Sequence, residues 1–218
     1  MGRGLKVTAL IELQYLPSVQ YFSKLLAYDK VVIEQWENYQ KGSYRNRCHI
    51  AGANGLQILS IPLEKGKHQK LPIREVRIAY RQPWHLQHWR SIQSAYANAP
   101  FYPYYSDDLE AIFMQQPEYL FELNQQLLAL CCRHLGLSDK LSYSDDYCSD
   151  PGEEVQDLRG FISPKQKTNN PDLAFHPNPY PQVFTERHGF LPNLSILDLL
   201  FCAGPEATQI LHACIISC

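Results

Sequence analysis

The chain has 218 residues, of which 45% are hydrophobic, and its formal net charge at pH 7 is −2. A chain of this size can bury a full core, so we expect one domain over residues 1–218 rather than two. No apolar run reaches the roughly 18 residues that a bilayer-spanning helix needs. The first apolar run is too short for a signal peptide, so we expect no membrane span and no secretory leader.

The cysteine content indicates a reducing compartment. Seven cysteines, an odd number without a C-x-x-C pair, do not predict a disulfide framework in a chain this long. We therefore expect a cytoplasmic protein. Cys131 and Cys132 lie in an apolar helical stretch, where buried packing is favoured over a vicinal disulfide or a soft-metal site.

The charges are unevenly distributed along the chain. Residues 41–90 carry ten basic and two acidic side chains, whereas residues 91–218 carry six basic and sixteen acidic ones. The middle segment predicts a basic surface that attracts anions, unless the acidic part folds back and neutralises it.

The first third of the chain predicts a sheet. Residues 7–13 and 30–35 are rich in β-formers and flank an amphipathic helix at 17–29, which is a β-α-β opening with parallel strands. Three further β-favouring segments, separated by short turns, predict antiparallel additions to this sheet. They are residues 44–51, 56–63 and 76–80.

A helical layer follows. We expect helices from Pro83 to about residue 98, from Ser106 onward, and from Pro117 to about residue 135, where Gly136 ends the helix. Residues 100–105 predict a rigid Tyr/Pro turn. The predicted fold class is α/β: a single mixed-sheet domain with a β-α-β opening, antiparallel additions and a helical layer.

From residue 139 to residue 182 the periodicity is lost and prolines recur. Such a long irregular excursion is typical of a lid, a binding loop or partial disorder. Its tyrosines favour at least partial docking on the domain, because disordered segments are poor in aromatic residues.

Residues 189–206 specify a short buried helix. Ser195 predicts an N-cap, and Asp198 three residues later predicts a capping-box variant. Between Ser195 and Gly204 the only charged residue is Asp198, so the helix must be surrounded by protein. Gly204 predicts its end, and Pro205 can open a following helix.

The turn after the first strand is the first candidate site. Ligands of α/β sheets bind at the carboxyl ends of strands, where helix N-terminal amides can receive an anion. Bulky Tyr15 and Leu16 stand where a phosphate loop has glycines, so a pocket walled by Tyr15 and Tyr21 is favoured over a diphosphate grip. The alternative is that both tyrosines pack in the core.

Two further groups of residues suggest chemistry. In an extended strand Arg45 and Arg47 would lie on one face and Asn46 on the other, which is a good arrangement for binding carboxylate or phosphate. The alternative is that the arginines pair with acidic residues.

His85 and His88, three residues apart on a helix, could bind a metal or act as a general base, or could pack beside neighbouring tryptophans.

Several motifs follow one another along nearly the whole chain: Tyr15-Leu16-Pro17 with Tyr21-Phe22, Asn46-Arg47, Ile61-Pro62, the helix with His88, Ala99-Pro100-Phe101-Tyr102, Leu135-Gly136, and the closing run Asn193-Leu194-Ser195-Ile196-Leu197-Asp198-Leu199-Leu200-Phe201. In this order they resemble the WbqC-like family, and the closing run is the specific match. The family's usual His-Gln-Pro tripeptide before Tyr-Leu-Pro is replaced here by residues 11–13. The region around residues 157–165 also departs from the family pattern.

Proteins similar to this one occur in bacterial O-antigen gene clusters, and a glycine-transferase role on sugars has been suggested for the family. The resemblance therefore implies transfer of a small acyl or aminoacyl group to a nucleotide- or carrier-linked sugar, an anionic small-molecule substrate; it specifies no cofactor. On this hypothesis His88 is the general base, and the substrate-binding residues are Gln14, Tyr15, Tyr21, Arg45, Asn46, Arg47 and Asn193.

The alternative hypothesis is a non-catalytic protein that binds an anionic partner or nucleic acid through the basic sheet. Nucleic acid is the less favoured partner, because the acidic remainder of the chain would have to face away from the phosphate backbone.

Overall fold

The centre of the molecule is a parallel sheet. The computed structural model describes residues 8–64, 71–165 and 171–216. The predicted β-α-β opening is confirmed: β1 (Thr8–Glu12), α1 (Val19–Ala27) and β2 (Lys30–Glu34) follow one another, and the two strands pair in parallel along their full length. Both strands therefore end at the same edge of the sheet.

The predicted antiparallel strands form a sheet of their own. β3 (Arg47–Gly52) and β4 (Gly55–Ser60) make a hairpin that does not pair with β1 or β2. Residues 76–80, predicted as a third strand, make only isolated bridges. The backbone of this segment makes some of its hydrogen bonds to residues 62–64 and the others to residues 118–120. Because each neighbour contributes so few bonds, no regular strand ladder forms.

Three long helices form the layer that the sequence predicted. They are α2 (Trp84–Tyr96), α3 (Tyr102–Gln115) and α4 (Leu120–Leu135). The predicted turn at 100–105 is wrong, because α3 already begins at Tyr102. Its Pro103 lies in the first helical turn, where the missing N–H leaves no hydrogen bond unmade.

The outer strands of the central sheet come from the segment predicted to be irregular. β5 (Leu141–Tyr143) pairs with β2 and β6 (Val155–Asp157) pairs with β1, both in parallel, which gives the order β5-β2-β1-β6. Strands of three residues are too short to show the alternation by which a strand is recognised in a sequence.

The closing segment holds the short helix α5 (Thr185–His188), then α6 (Ile196–Ala203) and α7 (Ala207–Ala213). Every residue of α6 is buried, as its composition predicted. Gly204 ends α6 with a φ of +52°, and a Cβ built there would lie 2.4 Å from the ring of Phe101. Both the backbone angle and the close ring therefore require glycine at this position.

The cap of α6 differs in part from the prediction. The Ser195 hydroxyl accepts a hydrogen bond from the Leu197 N–H at 3.4 Å, but the reciprocal half of a capping box is not formed. The Ser195 N–H instead donates to the His49 carbonyl at 2.7 Å. Asp198 is free to turn into the core, where it accepts hydrogen bonds from Tyr180 and Gln182.

Candidate functional site

The turn between β1 and α1 is closed to ligands. The Tyr15 N–H donates to the Tyr44 carbonyl, and the Val19 N–H donates to the Leu194 carbonyl, each at 2.9 Å. The next amide of α1, that of Gln20, donates to Asn193 Oδ1 at 2.9 Å. The closing segment thus caps α1, and the expectation that these amides are free for an anion is wrong.

His88 is enclosed beside Tyr15. The Tyr15 hydroxyl lies 2.8 Å from His88 Nδ1, and the other side of the ring is hydrogen-bonded to the backbone of Ser60. Burial lowers the pKa of His88 to about 4, so the imidazole is neutral at pH 7. Both of its nitrogens have protein partners, and the residue does not line the cavity described below. The structure gives His88 a packing role.

Tyr21 and Gln14 are also buried and bonded internally. The Tyr21 hydroxyl donates to the Glu12 carbonyl at 2.9 Å. The Gln14 amide donates to the Glu12 carboxylate at 2.7 Å and to the Ile162 carbonyl at 3.2 Å. Gln14 thus ties the opening turn to residue 162. These side chains and Tyr15 are fully buried and do not line the cavity, so they do not form its predicted tyrosine wall.

Arg45 does not present a free guanidinium. It lies in the turn before β3, is 1% exposed, and donates two hydrogen bonds of 2.6 Å to the Glu37 carboxylate. It therefore shares no strand face with Arg47, and that expectation is wrong. Neighbouring Asn46 is buried as well, with its side-chain amide donating to the Ile61 carbonyl at 2.9 Å.

Arg47 is the predicted arginine that stays available. It is partly exposed at the start of β3, and its buried Nε has no hydrogen-bond partner in the part of the chain that the structure describes. Burial and the positive charge of Arg47 both lower the pKa of His49. For Tyr44, burial raises the pKa and the charge of Arg47 partly offsets this increase. Arg47 therefore acts on both of these side chains.

A cavity of about 590 Å³ lies in front of these residues. Its walls are α1, the turn before β3, the hairpin, the segments 160–165 and 171–177, and the start of the closing segment. This volume is within the range of small-molecule sites. The polar side chains on its walls include Gln20, Tyr44, His49, Lys165, Asp172 and Asn193.

Tyr44 and His49 form a pair on the cavity wall. The Tyr44 oxygen lies 3.3 Å from His49 Nδ1, and the two rings meet edge to face with centroids 5.2 Å apart. Burial raises the pKa of Tyr44 to about 12, whereas burial and Arg47 lower the pKa of His49. Both groups are thus neutral at pH 7, and Nε2 of His49 has no hydrogen-bond partner among the described residues. A neutral imidazole with one open nitrogen can accept a proton.

A chain of hydrogen-bonded polar side chains forms another part of the cavity wall. Asn193 Nδ2 donates to Gln20 Oε1 at 3.1 Å, and Gln20 Nε2 donates to Asp172 Oδ2 at 2.8 Å. Asp172 in turn forms a largely buried ion pair with Lys24 at 2.7 Å. Asn193 holds a positive φ of +55°, which asparagine tolerates better than most residues. This wall is fixed in orientation and carries no net charge.

Three polar members of the site, Gln20, His49 and Asp172, were missed from the sequence. His49 follows Arg47 by two residues on β3, and this alternation is the signal that could have placed it on the same face. Asp172 lies in the irregular segment, where no pattern predicts a fold. Asn193 is the one predicted site residue that lines the cavity.

The basic middle segment is only partly available to partners. Besides Arg45, Arg77 forms an ion pair with Glu118, and Arg74 lies over the ring of Trp36. Lys65, Lys67 and Lys70 lie outside the described residues. Within the described ranges no three His, Cys, Asp or Glu side chains are grouped so as to hold a metal ion, and no helix is long and apolar enough to cross a membrane.

Comparison with known proteins gives one family and one relative. The family model described as the WbqC-like protein family matches residues 14–160 and 149–210. The chain is 31% identical over 234 aligned positions to the uncharacterized protein Rv1507c of Mycobacterium tuberculosis (strain ATCC 25618 / H37Rv), an alignment that covers 96% of this chain and 99% of that protein. No solved structure matches the chain significantly.

Proposed function

The chain belongs to the WbqC-like protein family, and on that premise we propose that it transfers a small acyl or aminoacyl group, with glycine as the leading candidate, to a nucleotide- or carrier-linked sugar in surface-polysaccharide assembly. The substrate site of this proposal is the cavity between α1, the hairpin and residues 160–177. The observation that carries it is the neutral Tyr44–His49 pair on the wall of a space that can hold a sugar derivative.

The chemistry of this pair suits acyl transfer. A hydroxyl or amine of the sugar attacks the carbonyl carbon of an activated acyl donor, such as a thioester or an acyl phosphate. The new C–O or C–N bond forms, the bond to the leaving group breaks, and the proton of the attacking group passes to His49. When His49 Nδ1–H donates to the Tyr44 oxygen, Nε2 carries the lone pair that accepts this proton.

The other cavity walls suit a sugar. Binding sites for small polar molecules combine apolar and aromatic side chains with a few fixed polar groups. Here Phe161 and Phe175 supply aromatic surface, while the amides of Gln20 and Asn193 supply donors and acceptors whose orientation is fixed by their mutual hydrogen bonds.

A two-step experiment tests the proposal. Thermal-shift measurements with nucleotide-linked amino sugars identify the acceptors that stabilise the fold, because a ligand that binds only the folded form raises the melting temperature. Each such acceptor is then incubated with isotope-labelled glycyl thioester and the protein, and the products are analysed by mass spectrometry. We expect a labelled glycyl adduct of the sugar.

The matched variants are His49→Gln and His88→Gln. We expect His49→Gln to keep the fold and lose about 10²- to 10⁴-fold of the transfer rate, the usual contribution of a general base. His88→Gln lowers stability but keeps the rate wherever it is folded. Transfer by His49→Gln at the wild-type rate would remove His49 from the reaction, and no transfer to any stabilising acceptor would contradict the proposed function itself.

A further inference from the structure

Four exposed aliphatic side chains lie on or next to the segments that line the cavity, and Leu56 is the one of them that lines it directly. Leu56 lines it and is 53% exposed, and Ile58 points from the same face of β4 and is 54% exposed. Leu173 is exposed between lining residues of the 171–177 segment, and the N–H of exposed Ile216 donates to the Ala174 carbonyl of that segment. We call Leu56, Ile58, Leu173 and Ile216 the aliphatic rim.

The rim is unusual for this molecule. In the described part of the chain, Met114 on α3 is the exposed large aliphatic residue that does not belong to the rim. Exposed hydrophobic side chains that cluster at one place mark a binding surface more often than scattered ones do. The rim side chains have no hydrogen-bonding group, so they can offer a ligand hydrophobic contact and cannot pair with the edges of a nucleobase.

Positive charge lies next to the rim. Lys165 lines the cavity. Arg47 does not line it but lies two residues before His49 on β3, and its buried Nε has no partner among the described residues. The carboxylate on the cavity wall, Asp172, is already neutralised by Lys24. The cavity thus has one cation on its wall, Lys165, and a second cation, Arg47, beside the lining residue His49. An anion would pair with these charges, and a hydrocarbon would cover the apolar side chains at the border.

We propose that the cavity takes an amphiphilic diphosphate: the phosphates bind at Arg47 and Lys165, and the hydrocarbon chain lies on the aliphatic rim. The sugar acceptor is then carried by a lipid and not by a nucleoside. This inference rests on the proposed function for the sugar, but the diphosphate and hydrocarbon contacts can be measured without any turnover.

Isothermal titration calorimetry with farnesyl diphosphate, inorganic pyrophosphate and UDP tests this inference. Farnesyl diphosphate is expected to bind at least tenfold tighter than pyrophosphate, because burial of only two methylene groups is worth about tenfold in affinity. It is also expected to bind tighter than UDP. Circular dichroism melting curves confirm the fold of each variant used below.

Variants separate the two parts of the site. The double variant Leu56→Ser with Ile58→Ser is expected to bring the affinity for farnesyl diphosphate down to that for pyrophosphate, and Met114→Ser, its matched control on α3, leaves the preference unchanged. Arg47→Gln is expected to weaken both ligands at least tenfold, whereas Arg90→Gln, an exposed arginine of α2, changes neither.

Several outcomes would overturn the inference. They are tighter binding of UDP than of farnesyl diphosphate, an equal loss in Met114→Ser and the rim variant, or no binding of either diphosphate. None of them removes glycyl transfer to a nucleotide-linked sugar. Conversely, the protein could bind the diphosphates as expected and yet transfer glycine to no sugar. This result would support the lipid diphosphate site and contradict the proposed function.

Discussion

Replacement of Arg45 by methionine tests the interpretation of this residue as an internal partner of Glu37. Methionine keeps much of the length of the side chain and removes every hydrogen-bond donor. In the wild type both guanidinium contacts to Glu37 are 2.6 Å long and both side chains are buried. The substitution therefore leaves a buried carboxylate without its countercharge.

The expected cost follows from this burial. Removal of one partner of a buried ion pair costs about 3–5 kcal/mol. In a chain of this size each kcal/mol lowers the melting temperature by about 2–4 °C, so we expect a decrease of roughly 10 °C. Burial already raises the pKa of Glu37, with the Arg45 hydrogen bonds opposing it. Without Arg45 the pKa of Glu37 rises further, so its carboxylate takes up a proton at a higher pH than in the wild type. Because a protonated Glu37 carries no buried charge, the loss of stability must be smaller at acidic than at alkaline pH.

Urea unfolding followed by tryptophan fluorescence measures the change in midpoint at several pH values. The control is Arg77→Met, which breaks the exposed pair with Glu118, where both side chains are at least half exposed; a loss of less than about 1 kcal/mol is expected there. The double variant with Glu37→Gln should recover part of the loss, since no buried charge remains. If Arg45→Met cost no more than Arg77→Met, the buried-pair interpretation would be refuted.

Further stability predictions concern the core of the site. Tyr15→Phe leaves His88 Nδ1 unpaired and should cost about 1–3 kcal/mol in urea unfolding. The pKa of His88 in the folded protein is about 4, below its ordinary value, so the unfolded chain takes up a proton first as the pH falls. The free energy of unfolding should therefore decrease by about 3 kcal/mol between pH 6.5 and pH 4. His88→Gln should remove this part of the pH dependence. Asn193→Ala loses the hydrogen bonds to α1 and strains a positive φ, whereas Asn193→Gly loses only the bonds and should be about 1–2 kcal/mol more stable than the alanine variant. Gly204→Ala forces a Cβ into the ring of Phe101 and should lower the melting temperature by several degrees, with a measurable coupling to Phe101→Ala in a double-mutant cycle.

The elements that the sequence predicts well are those with a long local pattern. β1, α1 and β2 have the composition and period of their structures, and α6 has only one charge between its caps. Such patterns report burial directly, because the face that packs in the core must be apolar.

The features that the sequence did not predict depend on contacts that only the fold makes. The sequence left open whether Arg45 binds an anion or pairs with an acidic residue, and the fold identifies Glu37, eight residues before it, as the partner. The N-terminal amides of α1 are capped by Asn193, more than 170 residues away along the chain. The sequence does not show which of His88 and His49 faces a cavity. In the fold His88 is buried beside Tyr15, whereas His49 lies beside Tyr44 on the cavity wall. Long-range contacts of this kind leave no local signal.

The central claim is that the functional site is the cavity at Tyr44 and His49, and the histidine NMR spectrum tests it most directly. The imidazole signals are assigned by single substitutions and followed while the protein is saturated with the sugar ligand that gives the largest thermal shift. The account predicts that the His49 signals move and that those of His88 stay in place. Movement of His88 with an unchanged His49 would contradict it.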